Sequence, residues 1–224
     1  MKKLTYIGLP VVFLFIASGC AVHVNAESNT KHKDIDSVMG AISVDKNSHV
    51  RDISSVNGGI HIESDSIARD VEGVNGGIRI GNNVNVRSVE TVNGGIKTGD
   101  NLKVEKNVET VNGGIRIGAG SVIGLDIETV NGGITLNQVT VGRNVSTNNG
   151  DIKLSNGTIV KGDLIIEKSD GWFSGWFSSN DISEIEIDAS SQINGTIHLY
   201  KKVKLKIADK SKIGEIKHHY SKSK

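Results

Sequence analysis

The amino-acid sequence predicts an all-β protein, a single-stranded parallel β-helix or solenoid with 18–19 residues and three short strands per coil. Three observations lead there. Val-Asn-Gly-Gly-Ile recurs five times, at 56–60, 74–78, 92–96, 111–115 and 130–134, with degenerate copies at 38–42 and 148–152. Its second position falls at 39, 57, 75, 93, 112, 131 and 149, so every step is 18 or 19 residues, the sequence mark of a stacked repeat. Between the corners, β-branched residues alternate with polar ones, as in Ile78-Arg79-Ile80 and Val84-Asn85-Val86, which is strand chemistry. Composition agrees: 27 glycines, 4% aromatics and one proline, Pro10. A coil that buries its apolar side chains against its neighbours needs few large residues, and continuous ladders spare no backbone donors.

The chain opens on Met1-Lys2-Lys3 and an apolar run from Ile7 to Ala17, too short to span a bilayer comfortably. Residues 1–19 are therefore expected to be a signal peptide of the lipoprotein type. Ala17-Ser18-Gly19-Cys20 resembles a lipobox, which implies cleavage before Cys20 and a lipid on its thiol, although Ala17 stands where the usual box has Leu. Ala21 after the cysteine resembles outer-membrane sorting. Val24-Asn25-Ala26 is a rival cleavage site that would release a soluble periplasmic or secreted protein. Residues 20–37 are polar and patternless, as a flexible tether would be. A single cysteine excludes an intramolecular disulfide and a cysteine zinc site. The formal charge of +1 gives no bulk electrostatic case for nucleic acid.

From 38 to 216 the sequence predicts the solenoid itself. The Gly-Gly pair suits a tight corner or a close backbone approach. Asn57, Asn75, Asn93, Asn112, Asn131 and Asn149 should then stack as a ladder of amides bonding from coil to coil. Ile80-Gly81 and Ile117-Gly118 look like one side of a hexapeptide helix, but the other two sides do not follow that rule, which points to right-handed winding.

Two charged stripes follow from the period. The residue between the paired isoleucines should face solvent, giving His61, Arg79, Lys97, Arg116, Thr135 and Lys153. Two residues before each Val-Asn corner stand Glu72, Glu90, Glu109 and Glu128. One reading is that outward positions are merely solvated and recur because the unit was duplicated. The other is lateral association of two copies, acidic stripe to basic stripe.

The repeat is interrupted at 169–181, Ser-Asp-Gly-Trp-Phe-Ser-Gly-Trp-Phe-Ser-Ser-Asn-Asp, and strand-like alternation then resumes. Trp172, Phe173, Trp176 and Phe177 are all the Trp and Phe beyond the leader. Such a loop either folds back as a plug over the tube or offers an aromatic contact for a glycan, membrane or partner. Residues 217–224 read as a polar, frayed tail.

No nucleophile elbow, phosphate loop, zinc motif or calcium-binding glycine repeat is present, so no catalytic residue, metal or cofactor is expected. His198 and the His218-His219 pair read as isolated. Carried by its five Val-Asn-Gly-Gly-Ile copies and Asn149-Gly150-Asp151-Ile152, the chain resembles a bacterial family of exported adhesin-like proteins of unknown function. More loosely, through coil length and Ile193-Asn194-Gly195-Thr196-Ile197, it resembles the polymer-forming bactofilins, which are cytoplasmic, unlike a chain with this leader. These resemblances imply a non-enzymatic structural or adhesin-like envelope protein, a possible homo-oligomer, attached to the membrane if Cys20 is lipidated. A module binding glycan or an envelope protein through the aromatic loop is the alternative. A carbohydrate-active β-helix enzyme is a third reading, to be recognised by a carboxylate cluster with a basic residue in a groove.

Overall fold

The computed structural model describes residues 22–24, 33–168, 182–208 and 212–220. Over these, the chain is a β-solenoid of parallel strands with three strands per coil. Its first face is a ten-stranded parallel sheet built from the Ile-x-Ile segments, such as Ile60–Ile62, Ile78–Ile80 and Ile115–Ile117. The second face, also ten-stranded, carries the longer segments that end in the Asn corner, such as Asp70–Asn75, Ser88–Asn93, Val108–Asn112 and Ile127–Asn131. A narrow third face of six two-residue strands, such as Lys103–Val104, closes the coil.

Alternation decides what lies inside. Ile60, Ile78, Ile96, Ile115, Ile134 and Ile152 are register partners in one buried column. Each such burial contributes about 1.5–3 kcal/mol, offset by the entropy of ordering the coil. Inward hydroxyls on the second face are satisfied at the corner: Thr110 Oγ1 donates to the Gly94 carbonyl (2.8 Å) and Thr129 Oγ1 to that of Gly113 (2.9 Å).

Backbone groups at a corner lie outside the regular strand ladder, and Asn, Asp and Ser side chains serve there. At the Gly-Gly corner the predicted amide ladder is present, each Nδ2 donating to the Oδ1 one coil earlier, from Asn75→Asn57 (3.0 Å) to Asn149→Asn131 (2.9 Å). A second ladder links Asp65, Asn83 and Asn101, all at φ near +60°. Asn and Asp tolerate that left-handed conformation better than other side chains. At the third corner, Asp126 and Asn144 each accept a backbone N–H from the following coil, both at 2.9 Å.

The boundaries differ from the sequence reading at both ends. Val22–Val24, paired with Ile42–Val44, lies within the segment expected to be a tether, and Ile35–Met39, paired with Ile53–Asn57, begins inside that segment and runs across its expected end. Lys217 and His218 belong to the last strand, Ile216–His218, and not to a tail. Ile152–Ser155 pairs directly with Glu184–Ile187, so the stack continues across the interruption. Cys20 and the whole 169–181 segment, with Trp172, Phe173, Trp176 and Phe177, lie outside the described residues.

Candidate functional site

A groove of about 630 Å³ runs along the first face beside the Gly-Gly corner. Its floor is backbone, because the second glycine of each pair (Gly77, Gly95, Gly114, Gly133) carries no side chain. The fold does not impose that choice: Ala41 and Asp151 occupy equivalent corner positions in flanking coils. A Cβ on Gly114 would lie 3.2 Å from the nearest atom, the Gly133 carbonyl oxygen, a tight but accommodable contact.

Arg79, Lys97 and Arg116 stand along this floor as direct register partners on adjacent strands, all exposed. None forms an ion pair among the described residues. All four other arginines are paired: Arg51 with Asp34 (3.3 Å), Arg69 with Asp52 (3.7 Å), Arg143 with Asp126 (3.5 Å), and Arg87 with Asp70. Farther along the groove, Lys153 binds Glu186 (2.8 Å), and Lys204 and Lys206 bind Glu184 (3.0 and 2.6 Å). An ion-pair network thus closes the carboxy-terminal end and leaves three unneutralised cations in the open part. At the strand spacing of about 4.8 Å, like charges repel by up to about 1 kcal/mol per neighbouring pair in water.

The acidic stripe is equally regular. Glu72, Glu90, Glu109 and Glu128 are successive register partners on the outer side of the second face. They are half-buried, with the half-buried Val74, Val92, Val111 and Val130 two residues along. Burial, then repulsion from Glu90 and Glu128, pushes the Glu109 carboxyl up to about 7. Burial also raises Glu72, with help from Glu90, and Glu128, with help from Asp126. Glu90 is raised by burial and partly relieved by Lys106.

Comparison of the chain with protein-family models, with curated proteins and with solved structures finds no match. The geometry therefore speaks for itself. Among the described residues, no group of three or more His, Cys, Asp or Glu side chains is placed to hold a metal ion. What the groove offers along its open part is a row of donors and positive charge at strand pitch beside a backbone floor, with Asp151, Lys153, Glu184 and Glu186 lining its far end.

The structure places both predicted stripes on the faces and in the register that the period implies. It also joins residues that had read as isolated. His198 Nδ1 lies 3.0 Å from His219 Nε2, His219 stacks on Tyr200 with ring centroids 4.3 Å apart, and His198 Nε2 is 3.6 Å from Asp163. The signal was available: counting one coil onward from His198 lands on the strand that carries Lys217 and His218, with His219 next to it. The groove was harder to see, since it depends on which arginines find a carboxylate one coil away.

Proposed function

We propose that this chain is a non-enzymatic structural or adhesin-like rod of the bacterial cell envelope, and that its working surface is the groove, which captures an extended acidic partner. The observation that carries this reading is the row of Arg79, Lys97 and Arg116, in register and without ion pairs among the described residues, over a glycine floor the fold does not demand. Duplication of the unit accounts for the alignment of the three cations, but not for their standing unpaired beside a backbone floor while the arginines at other positions of the coil have carboxylate partners. A periodic anion can meet all three at once, so modest single contacts add along the row.

Polygalacturonate is a suitable acidic probe. The protein is expected to bind it, more weakly as salt rises, because screening acts on exposed charges. With each exposed pair worth roughly 0.2–1 kcal/mol, the triple variant Arg79→Ala, Lys97→Ala, Arg116→Ala should bind about 3- to 150-fold more weakly. Fluorescence anisotropy with a labelled oligomer reads the change. Equal affinity of variant and parent would sink the groove as the working surface.

The leader supports export, with Cys20 as the lipid-bearing residue that anchors the rod to the membrane. Intact mass of the protein from membrane and soluble fractions of its host checks this. A diacylated species beginning at Cys20 is the expected result; an unmodified species beginning at Glu27 would overturn the anchor.

A further inference from the structure

We propose that the groove of one molecule receives the Glu72, Glu90, Glu109 and Glu128 ladder of a second copy, so that the rods associate side by side. This rests on the groove reading above and names its occupant. The two ladders match in three ways. First, both climb the tube axis one rung per coil, so they share the strand pitch. Second, each Glu precedes its counterpart on the first face by seven residues: Glu72 and Arg79, Glu90 and Lys97, Glu109 and Arg116, Glu128 and Thr135. Two copies lying parallel with no axial shift therefore bring every rung opposite its complement together, three as ion pairs and the last as a carboxylate facing a hydroxyl. A shift of one coil in one direction also keeps three ion pairs, Glu90 with Arg79, Glu109 with Lys97 and Glu128 with Arg116, and sets Glu72 against His61, so the pitch and the charges match in both of these parallel registers. Third, neither the four carboxylates nor the three cations form a salt bridge among the described residues, so each ladder repels itself until the other neutralises it. The contact joins two different faces and is heterologous, so it propagates into a ring or an open array.

Other charged groups flank the carboxylates without cancelling them. Lys106 acts on Glu90, while Asp52 acts on Glu72 and Asp126 and Glu167 on Glu128. A lateral contact is compatible with a tethered rod, because it leaves both ends of the tube unused.

Sedimentation velocity of the full chain across a concentration series, at low and at high salt, tests the proposal. The parent should associate at low salt and dissociate at high salt. The groove-reversed variant (Arg79→Glu, Lys97→Glu, Arg116→Glu) and the ladder-reversed variant (Glu90→Lys, Glu109→Lys, Glu128→Lys) should each remain monomeric. An equimolar mixture of the two should associate again, because each reversed face then meets its complement. Circular dichroism checks that both fold; if either triple variant does not, the single-rung pair Lys97→Glu and Glu90→Lys carries the same test, each alone associating about tenfold more weakly. Parent-like association of both reversed variants, or failure of their mixture to associate, overturns the proposal. A parent that stays monomeric also overturns it; in that case salt-sensitive polygalacturonate binding preserves the groove reading, and its absence removes both.

Discussion

Replacing Gly113 by Ala is expected to cost about 3 kcal/mol or more, while Gly114→Ala beside it costs about 1 kcal/mol or less. A Cβ on Gly113 would fall inside the van der Waals envelope of the Gly94 carbonyl oxygen, with the Gly94 carbon and the Gly95 nitrogen close behind. All three atoms are backbone, so no side chain can swing away. Relief requires the two coils to separate, yet Gly94 N–H donates to the Asn112 carbonyl (3.0 Å), and Asn112 Nδ2 donates to Asn93 Oδ1 (2.9 Å). Those bonds hold the spacing that the methyl would violate. Because each repeat touches only its neighbours, the damage falls on one interface and splits the array near its middle. At Gly114 the nearest atom to an added Cβ stands 3.2 Å away, and reduced freedom of the unfolded chain partly offsets that contact. Denaturant midpoints of the two variants against the parent decide the matter; equal shifts would mean that the corner relaxes and that the first glycine is not a steric requirement.

That contrast shows how far the fold was legible. The step of 18 or 19 residues set the coil, and strict alternation set which side chains turn inward, so Ile78, Ile96 and Ile115 fell into one column as expected. The Asn ladder followed from the same period. The second corner was less visible, because its left-handed position is filled by Asn47, Asp65, Asn83, Asn101, Gly120, Gln138 and Asn156 in turn, Asn in four coils and three other residue types in the rest. No single residue type marks it, since several can adopt that backbone conformation. The first strand, Val22–Val24, was missed because it pairs with Ile42–Val44 through backbone bonds, while the polar stretch after it gives no periodic signal.

The candidate site was legible in its parts and not in its assembly. Counting identified Arg79, Lys97, Arg116 and the four glutamates as two rows. It did not show that Asp34, Asp52, Asp70 and Asp126 neutralise the other arginines while leaving the groove cations alone. Nor did the outward assignment of the glutamates show that they are half-buried on a crowded face. Neighbouring rows provide that burial, and a single coil read alone carries no information about it.

Their burial makes stability depend on pH in a defined direction. Burial and mutual repulsion raise the Glu109 carboxyl from 4.5 to about 7, and Glu72, Glu90 and Glu128 are raised with it. Between those values the folded chain holds protons that the unfolded chain has released. Stability is therefore greatest below about pH 4.5 as far as this ladder is concerned, and falls as pH rises toward 7. For Glu109 the unscreened shift corresponds to about 3 kcal/mol, and solvent reaching the half-exposed carboxyl reduces this to on the order of 1 kcal/mol. The acid side is governed by a different group. Burial opposes ionisation of Asp188, yet hydrogen bonds from Ser191, Asn156 and Ser190 hold it down to about 2. Its contribution is present above about pH 4 and is lost only as pH falls toward 2, so the two windows do not overlap. The denaturant midpoint of the dilute monomer is thus expected to drop between pH 5 and pH 8. The triple variant Glu90→Gln, Glu109→Gln, Glu128→Gln should flatten that slope and gain about 1–2 kcal/mol at pH 8, since an amide keeps the shape and removes the charge. A parent midpoint that is flat over this range, or a variant that keeps the parent's slope, would show that the carboxylates are solvated well enough to ionise freely, and the ladder would then exert no electrostatic pressure toward a partner.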